Sequence, residues 1–155
     1  MRIPIRELTA ADRELVAYAR AIVDANTDGE DGVHTMGAAV RAADGTLHGG
    51  INVYHFTGGP CAELVALGNA RASGARELTT IVAVGNLGRG VIGPCGRDRQ
   101  VLYDYHPGIR VLLPTGAEGD AGVGSVRIGD LMPFVTAWSP DGGSTAYRAA
   151  GPEHS

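Results

Sequence analysis

Cysteine and aromatic residues are scarce in this sequence. Of its 155 residues two are cysteines, Cys61 and Cys95, and aromatic residues make up 5%. Two cysteines do not form a disulfide framework, and outside a secreted chain a disulfide between them is the weaker interpretation. Because aromatic residues are scarce, the hydrophobic core must be built mainly from Ala, Val, Leu and Ile. For two cysteines taken at random, inert buried thiols would be the default interpretation.

Long apolar runs and an excess of basic residues are also missing. No run is long enough to span a membrane, and the N-terminus lacks the apolar stretch of a signal peptide. We therefore expect no membrane partner and a cytoplasmic location. The formal net charge of −4 argues against binding a nucleic acid polymer, because such binding needs a basic face. The expected partner is a small molecule.

The length suits one domain with one core. We expect a single domain over residues 1–138 and a mobile tail over 139–155, which is rich in Ser, Gly, Pro and Asp. Within the domain, a capping box at Thr9 and Asp12 predicts a helix over about 10–25. The pair Asp44-Gly45 predicts a hairpin turn.

The remaining pattern alternates between helix and strand. It predicts hairpin strands at 37–41 and 46–53, helices at 61–73 and 94–105, strands at 79–84 and 109–113, and Gly-rich loops at 85–93 and 114–124. This order predicts an α/β fold with a mixed central sheet covered by helices on both faces.

Chemistry is concentrated where two of these helices begin. Cys61 opens one helix and Cys95 the other, and each follows a Gly-Pro pair. A helix N-terminus favours the thiolate, the form of cysteine that binds metals. Cys95 and Asp98, three apart in a first turn, project to the same side, so both can bind one ion with Cys61. Three protein ligands and an open position are typical of a catalytic zinc site.

Glu63 stands two residues beyond Cys61, where it can reach a metal-bound water without binding the metal. Taken alone, Glu63 would be interpreted as an exposed first-turn residue favoured by the helix dipole. However, zinc deaminases combine such a glutamate with a later P-C-x-x-C run. Both halves of this pattern occur here in the right order, across a predicted strand, so we expect hydrolytic deamination with Glu63 moving the protons.

The segments Cys61-Ala62-Glu63-Leu64 and Pro94-Cys95-Gly96-Arg97-Asp98-Arg99-Gln100 resemble the motifs of the cytidine deaminase superfamily. The flanking segments are similar to its blasticidin S deaminase branch: Asn52–Pro60, Gly85-Asn86, Arg89-Gly90 and His106–Ile109. The resemblance covers about 36–138. It implies a three-layer α/β/α fold, a Zn²⁺ cofactor, a homotetramer and an aminopyrimidine nucleoside substrate such as blasticidin S. Cytidine, deoxycytidine or another aminated heterocycle is the alternative.

One position departs from the family, whose third zinc ligand is cysteine where this chain has Asp98. Carboxylate oxygen is an acceptable zinc ligand and leaves the ligand charge unchanged, but it donates less electron density and also suits other metals. Three interpretations are open: a working site, a disabled site, or a residue that has been altered. A disabled site would leave a zinc-free, non-catalytic binding protein on the same fold.

The resemblance also implies substrate-binding residues. Asn52 matches the residue that holds the ribose, Tyr54 replaces a glutamate that assists it, and Ala62 lies within the zinc motif. Arg99 matches an arginine that hydrogen-bonds the zinc thiolates. His34 and His55 are equally consistent with substrate contact and with a structural role. Trp138 matches an aromatic that covers the pyrimidine, in some members from a neighbouring subunit; packing is the alternative.

Overall fold

The structure, a computed structural model, describes residues 2–29, 32–116, 119–142 and 147–149. Three helices are present in these ranges: α1 (Ala10–Asn26), α2 (Ala62–Ala72) and α3 (Gly96–Tyr105). The strands are β1 (Met36–Ala42), β2 (Leu47–Ile51), β3 (Leu78–Gly85), β4 (Gly90–Ile92), β5 (Arg110–Pro114), β6 (Val123–Arg127), β7 (Thr136–Trp138) and β8 (Tyr147–Ala149). Single turns of 3₁₀ helix lie at Asp120–Gly122, Ile128–Leu131 and Pro140–Gly142.

The main sheet is mixed. Its strands lie in the order β2-β1-β3-β5-β6, with β3 and β5 parallel and the other pairs antiparallel. β4 pairs antiparallel with the last residues of β3, beyond the segment that pairs with β5. β7 and β8 form a separate two-stranded sheet. The single parallel pair is joined through α3, as expected for strands that need a crossover connection.

Helices cover both faces of the sheet. Leu15, Ala19 and Val23 of α1 pack on one face, against Ala39 of β1 and Val82 of β3. On the opposite face, α2 and α3 pack against neighbours of alternate parity, which include Ala38, Val40, Ile81, Ala83 and Val111. The two faces follow from the period of two along a strand. The three-layer α/β/α arrangement predicted from the sequence is therefore confirmed.

The close packing of α2 on β2 depends on a glycine. A Cβ atom added to Gly50 would lie 2.5 Å from the backbone nitrogen of Ala66 and 2.9 Å from the carbonyl oxygen of Ala62. Ala66 and Ala70 are fully buried at this interface. Small residues on both sides thus let the helix backbone approach the sheet, and this approach fixes where the N-terminus of α2 lies.

We expect the Gly50→Ala substitution to destabilise the fold, because the added methyl group meets helix backbone rather than a flexible side chain. Overpacking of this kind costs about 1–3 kcal/mol. The matched control is Gly68→Ala, an exposed α2 glycine whose added Cβ meets nothing within 4 Å. That change should stabilise the helix by about 0.5–1 kcal/mol. Urea denaturation of both variants measures the difference, and equal stabilities would contradict the packing argument.

Most of the predicted elements are confirmed, with shifts of one or two residues at their ends. The capping box of α1 is present: Thr9 Oγ1 accepts from the Asp12 N–H, and Asp12 Oδ2 accepts from the Thr9 N–H. The turn at Asp44 and Gly45 is confirmed, with Gly45 at φ +89°. No described helix is long and apolar enough to cross a membrane.

The sequence analysis missed several short strands. β4 lies inside the segment predicted as loop 85–93, and β6 was not predicted. Within the predicted tail, β8 pairs with β7 through its backbone, while residues 143–146 and 150–155 lie outside the described residues. The division into a domain over 1–138 and a mobile tail over 139–155 stays a prediction.

Candidate active site

Three potential metal ligands lie close together where two helices begin. Cys61 is the N-cap of α2 and Cys95 is the N-cap of α3, each with extended backbone and one position before the first helical residue. Asp98 occupies the third position of α3. One ligand atom from each of these residues lies within 4.8 Å of the other two.

The spacing of these atoms fits a tetrahedral zinc ion. Cys61 Sγ and Cys95 Sγ are 3.8 Å apart. Two thiolates bound to one tetrahedral zinc at about 2.3 Å would be separated by about 3.8 Å. A disulfide would require about 2.05 Å, and both cysteines are free thiols. The arrangement thus fits a metal site and not a disulfide.

Asp98 supplies a second observation in favour of a cation. Its side chain is 1% exposed, and its Oδ1 has no hydrogen-bond partner in the described part of the chain. Leaving a buried carboxylate oxygen unpartnered costs free energy, which a nearby cation offsets. The residues present therefore fit a bound divalent metal, and the aspartate does not by itself prevent one.

Glu63 lies beside the cluster and is itself buried, at 5% exposed. Burial, assisted by the negative charge of Asp98, raises the pKa of Glu63 to about 7. A carboxyl group with a pKa near neutrality can both accept and return a proton, as general acid–base catalysis requires. The alternative of an exposed first-turn glutamate is wrong, because Glu63 faces the core side of α2.

The thiol of Cys61 differs from the prediction made for a helix N-terminus. Burial raises its pKa to about 11 in the metal-free protein, against a hydrogen bond from Arg97 that lowers it. The charge of Asp98 and the contact with Cys95 raise it further. The loss of hydration is the largest of these effects, and a metal ion would have to displace a proton from this sulfur.

The fold and the site can be compared with known proteins. No family model matches the chain. Over 102 residues it is 31% identical to the cytidine deaminase of Sporosarcina psychrophila, covering 63% of this chain and 71% of that protein. A crystal structure of cytidine deaminase from Burkholderia pseudomallei aligns over 84% of this chain and all of its own, with a TM-score of 0.64 and 30% identity. The chain belongs to the cytidine deaminase superfamily.

A second curated relative within this superfamily is the blasticidin-S deaminase of Bacillus cereus. It is 34% identical over 93 residues, which cover 54% of this chain and 66% of that protein. The chain thus spans just under two thirds of this relative's length. The predicted superfamily and fold are both confirmed by these likenesses.

Next to the cysteine–aspartate cluster lies a turn that carries exposed aromatic residues. His55 closes this turn: its carbonyl accepts from the N–H groups of Gly58 and Gly59, and its ring Nδ1 accepts from the Thr57 N–H. The His55 ring packs against the Phe56 ring at a tilt of 36°, and Phe56 and Tyr54 are exposed. These contacts support a structural role for His55, while substrate contact by Tyr54 and His55 stays a prediction.

The side-chain amide of Asn52 forms hydrogen bonds with backbone groups. Its Oδ1 accepts from the N–H groups of Thr35 and Met36, and its Nδ2 donates to the carbonyl of Val33. His34 Nδ1 lies 2.8 Å from the Asn52 carbonyl oxygen. Three of the four hydrogen bonds that the amide can make are thus used to hold residues 33–36. The predicted ribose contact would have to use its remaining capacity or displace one of these bonds.

The guanidinium next to the cluster belongs to Arg97, which the sequence analysis did not select. Its Nη2 lies 3.8 Å from Cys61 Sγ and donates to the Gly59 carbonyl at 3.0 Å. Arg99, for which a thiolate contact was predicted, instead donates to the Pro94 carbonyl at 3.2 Å. The difference arises because Arg97 points across to α2, whereas Arg99 folds back on the chain before α3.

Trp138 lies away from the cluster within one chain. The backbone N–H of Trp138 donates to Asp104 Oδ1. The centroid of its ring is 5.5 Å from that of Tyr105, at the C-terminal end of α3. Cys95 caps the other end of this helix, about 15 Å away at 1.5 Å per residue. Ala62 has a fully buried side chain in the core. Substrate contact by Ala62, and by Trp138 from a neighbouring subunit, therefore stays a prediction.

Proposed function

We propose that this chain is a zinc-dependent hydrolytic deaminase that converts a cytosine-type nucleoside into its uracil form and releases ammonia. The observation that carries the proposal is a buried glutamate of raised pKa beside three convergent metal ligands, two thiols and a carboxylate. Membership of the cytidine deaminase superfamily supports the same reaction.

Each residue of the site has a role in this proposal. Cys61, Cys95 and Asp98 would hold the zinc ion. When bound, zinc supplies Lewis acidity and lowers the pKa of a coordinated water. Glu63 would take a proton from the water whose oxygen bonds to C4 and deliver it to ring nitrogen N3. It would then move the proton of the new C4 hydroxyl group to the amine. The bond from C4 to the amino nitrogen breaks, water provides the new oxygen, and ammonia leaves.

Blasticidin S is the first candidate substrate. The relative from Bacillus cereus, named blasticidin-S deaminase, supports this choice. So does Tyr54, an exposed residue at the position where the ribose-binding members have glutamate. Under this proposal the protein would confer resistance to the antibiotic.

Cytidine or deoxycytidine is the second candidate. It is supported by the relatives named cytidine deaminase and by the presence of Asn52 at the ribose-binding position. The oligomer and location belong to the same proposal: a homotetramer, as the resemblance implies, in the cytoplasm. Exposed Phe56 and Phe134 are consistent with further surface being covered in such an assembly.

A binding protein without zinc is the competing proposal. It is supported by the helix cap that Asp98 makes with Cys95, since this contact gives the aspartate a structural role that needs no metal. Such a protein would keep the fold and lack turnover.

One combined experiment separates these proposals. We expect the purified protein to contain about one zinc per chain, because the site has three ligands. We expect it to release ammonia from blasticidin S faster than from cytidine. Zinc content by mass spectrometry and initial rates with both substrates provide the measurement. Faster turnover of cytidine would overturn the substrate choice, and the absence of both zinc and turnover would favour the binding protein.

A further inference from the structure

The two carboxylate oxygens of Asp98 have different surroundings. Oδ2 accepts a hydrogen bond from the Cys95 N–H at 3.3 Å. Oδ1 is buried and has no hydrogen-bond partner in the described part of the chain. In return, the Asp98 N–H lies 3.5 Å from Cys95 Sγ. In Asp98, the residue that departs from the family pattern, Oδ2 is thus hydrogen-bonded and Oδ1 is not.

The hydrogen-bonded oxygen, Oδ2, is part of a capping box at the start of α3. In such a box the N-cap side chain accepts from the third helical N–H, and the third side chain accepts from the N-cap N–H. Here the N-cap side chain is the thiol of Cys95. The box fixes the backbone of Cys95 and therefore the direction in which its sulfur points, which is toward Cys61 Sγ.

The other oxygen, Oδ1, is available to bind a cation or a proton. A cysteine at position 98 would offer a single sulfur atom, whereas aspartate offers two oxygens on opposite sides of one carbon. A buried anionic oxygen without a donor is unfavourable unless a cation or a proton satisfies it. The candidate cation is the ion held between the sulfurs of Cys61 and Cys95, and the candidate proton is that of Glu63.

We propose that Asp98 divides its carboxylate between two tasks: Oδ1 binds the metal, and Oδ2 caps α3 and orients Cys95. This inference rests on the metal site of the proposed function and assigns the atoms within it. The aspartate is then a ligand with a built-in positioning role, which a cysteine ligand at the same position would lack.

Three substitutions separate the two tasks in the full-length, chelator-treated protein. Asp98→Asn keeps an oxygen acceptor for the Cys95 N–H but removes the anionic ligand. Asp98→Ala removes both the acceptor and the ligand. Asp98→Cys provides a third sulfur but only a weak acceptor for the Cys95 N–H. Affinities for Zn²⁺ and Co²⁺ alone, the cobalt charge-transfer absorption, and the melting temperature without metal are the readouts.

The expected results follow from these differences. The zinc affinity of Asp98→Asn should fall at least about 100-fold. Asp98→Ala should lose the same affinity and, without metal, melt about 2–4 °C below Asp98→Asn, as expected for a lost helix cap. Asp98→Cys should also melt lower, while its sulfur-to-cobalt absorption rises about 1.5-fold, the ratio of three thiolates to two.

A matched control comes from α1, where Asp12 makes the same cap with Thr9. Asp12→Ala should lower the melting temperature without changing metal affinity. Unchanged zinc affinity in Asp98→Asn would overturn the assignment of Oδ1 and leave the Glu63 proton as its partner. Equal melting of Asp98→Asn and Asp98→Ala would overturn the assignment of Oδ2. None of these readouts uses a substrate. A failure of the Asp98 assignment can therefore be distinguished from a failure of the deaminase proposal, which is tested by ammonia release.

Discussion

Glu63→Gln is expected to reduce deaminase turnover by about 10³-fold or more while zinc stays bound. General acid–base catalysis is worth about 10² to 10⁴, and here one side chain moves protons both in attack and in departure of the amine. Glutamine matches glutamate in size but cannot carry the proton. The measurement is ammonia release by the zinc-loaded variant, with metal content determined on the same sample. The control is Glu77→Gln, an exposed glutamate between α2 and β3 that should turn over normally.

The same substitution should stabilise the metal-free fold at alkaline pH. The pKa of Glu63 rises from 4.5 to about 7 on folding, so the folded state favours the neutral carboxyl. The stability that this group contributes is therefore present below about pH 4.5 and is lost as pH rises through about 7. At pH 8 the penalty in the natural chain is on the order of 3 kcal/mol.

Thermal melts of chelator-treated protein between pH 5 and 8 check this expectation. The advantage of Glu63→Gln should be small at pH 5 and largest at pH 8. A variant that loses activity but gains stability would show that the glutamate is retained for function at the expense of the fold. Normal turnover in Glu63→Gln, by contrast, would overturn the assignment of this residue as the proton carrier.

Zinc affinity is expected to rise steeply with pH, and this is the second large effect. The pKa of Cys61 is about 11 in the metal-free protein, so near neutrality zinc must displace its proton. Only the thiolate binds metal, and its population rises tenfold per pH unit in this range. The apparent affinity should therefore increase about 100-fold or more from pH 6 to pH 8.

Competition with a chromophoric chelator measures this dependence, and calorimetry in buffers of different ionisation enthalpy counts the protons released. Cys61→Ser is the matched variant, because it keeps the size of the side chain but removes the thiol that must be deprotonated. It should bind zinc weakly and with a shallower pH dependence. An affinity that is independent of pH would mean that zinc binds without displacing the Cys61 proton, contrary to the proposed ligand set.

Arg97 connects these effects to the surrounding structure. Its guanidinium contacts Cys61 Sγ and the carbonyl oxygens of Gly58 and Gly59, so it joins α3 to the turn that precedes α2. Burial raises the pKa of Cys61, and the hydrogen bond from Arg97 lowers it by a smaller amount. The guanidinium group thus helps to hold the two helix N-termini at the separation that the 3.8 Å sulfur contact records.

The sequence by itself determined the features that depend on nearby residues. Thr9 and Asp12 define the start of α1, and Asp44-Gly45 defines the hairpin, because caps and tight turns are made by residues two to four apart. The order of the main helices and strands, and the position of Glu63 two residues after Cys61, also follow from local sequence. The Cys95 and Asp98 capping box was equally local, but a cysteine N-cap concealed a pattern usually written with serine or threonine.

The tertiary structure decided what depends on residues distant in the chain. β4 and β6 are short and lack a strong local pattern, and each exists because a partner strand supplies its hydrogen bonds. Asn52 holds the backbone of residues 33–36 and Arg97 rather than Arg99 reaches Cys61, and neither contact follows from spacing. The sequence thus determined which groups stand at the helix starts. The sheet determined that two of these starts meet, because it packs α2 and α3 on the same face.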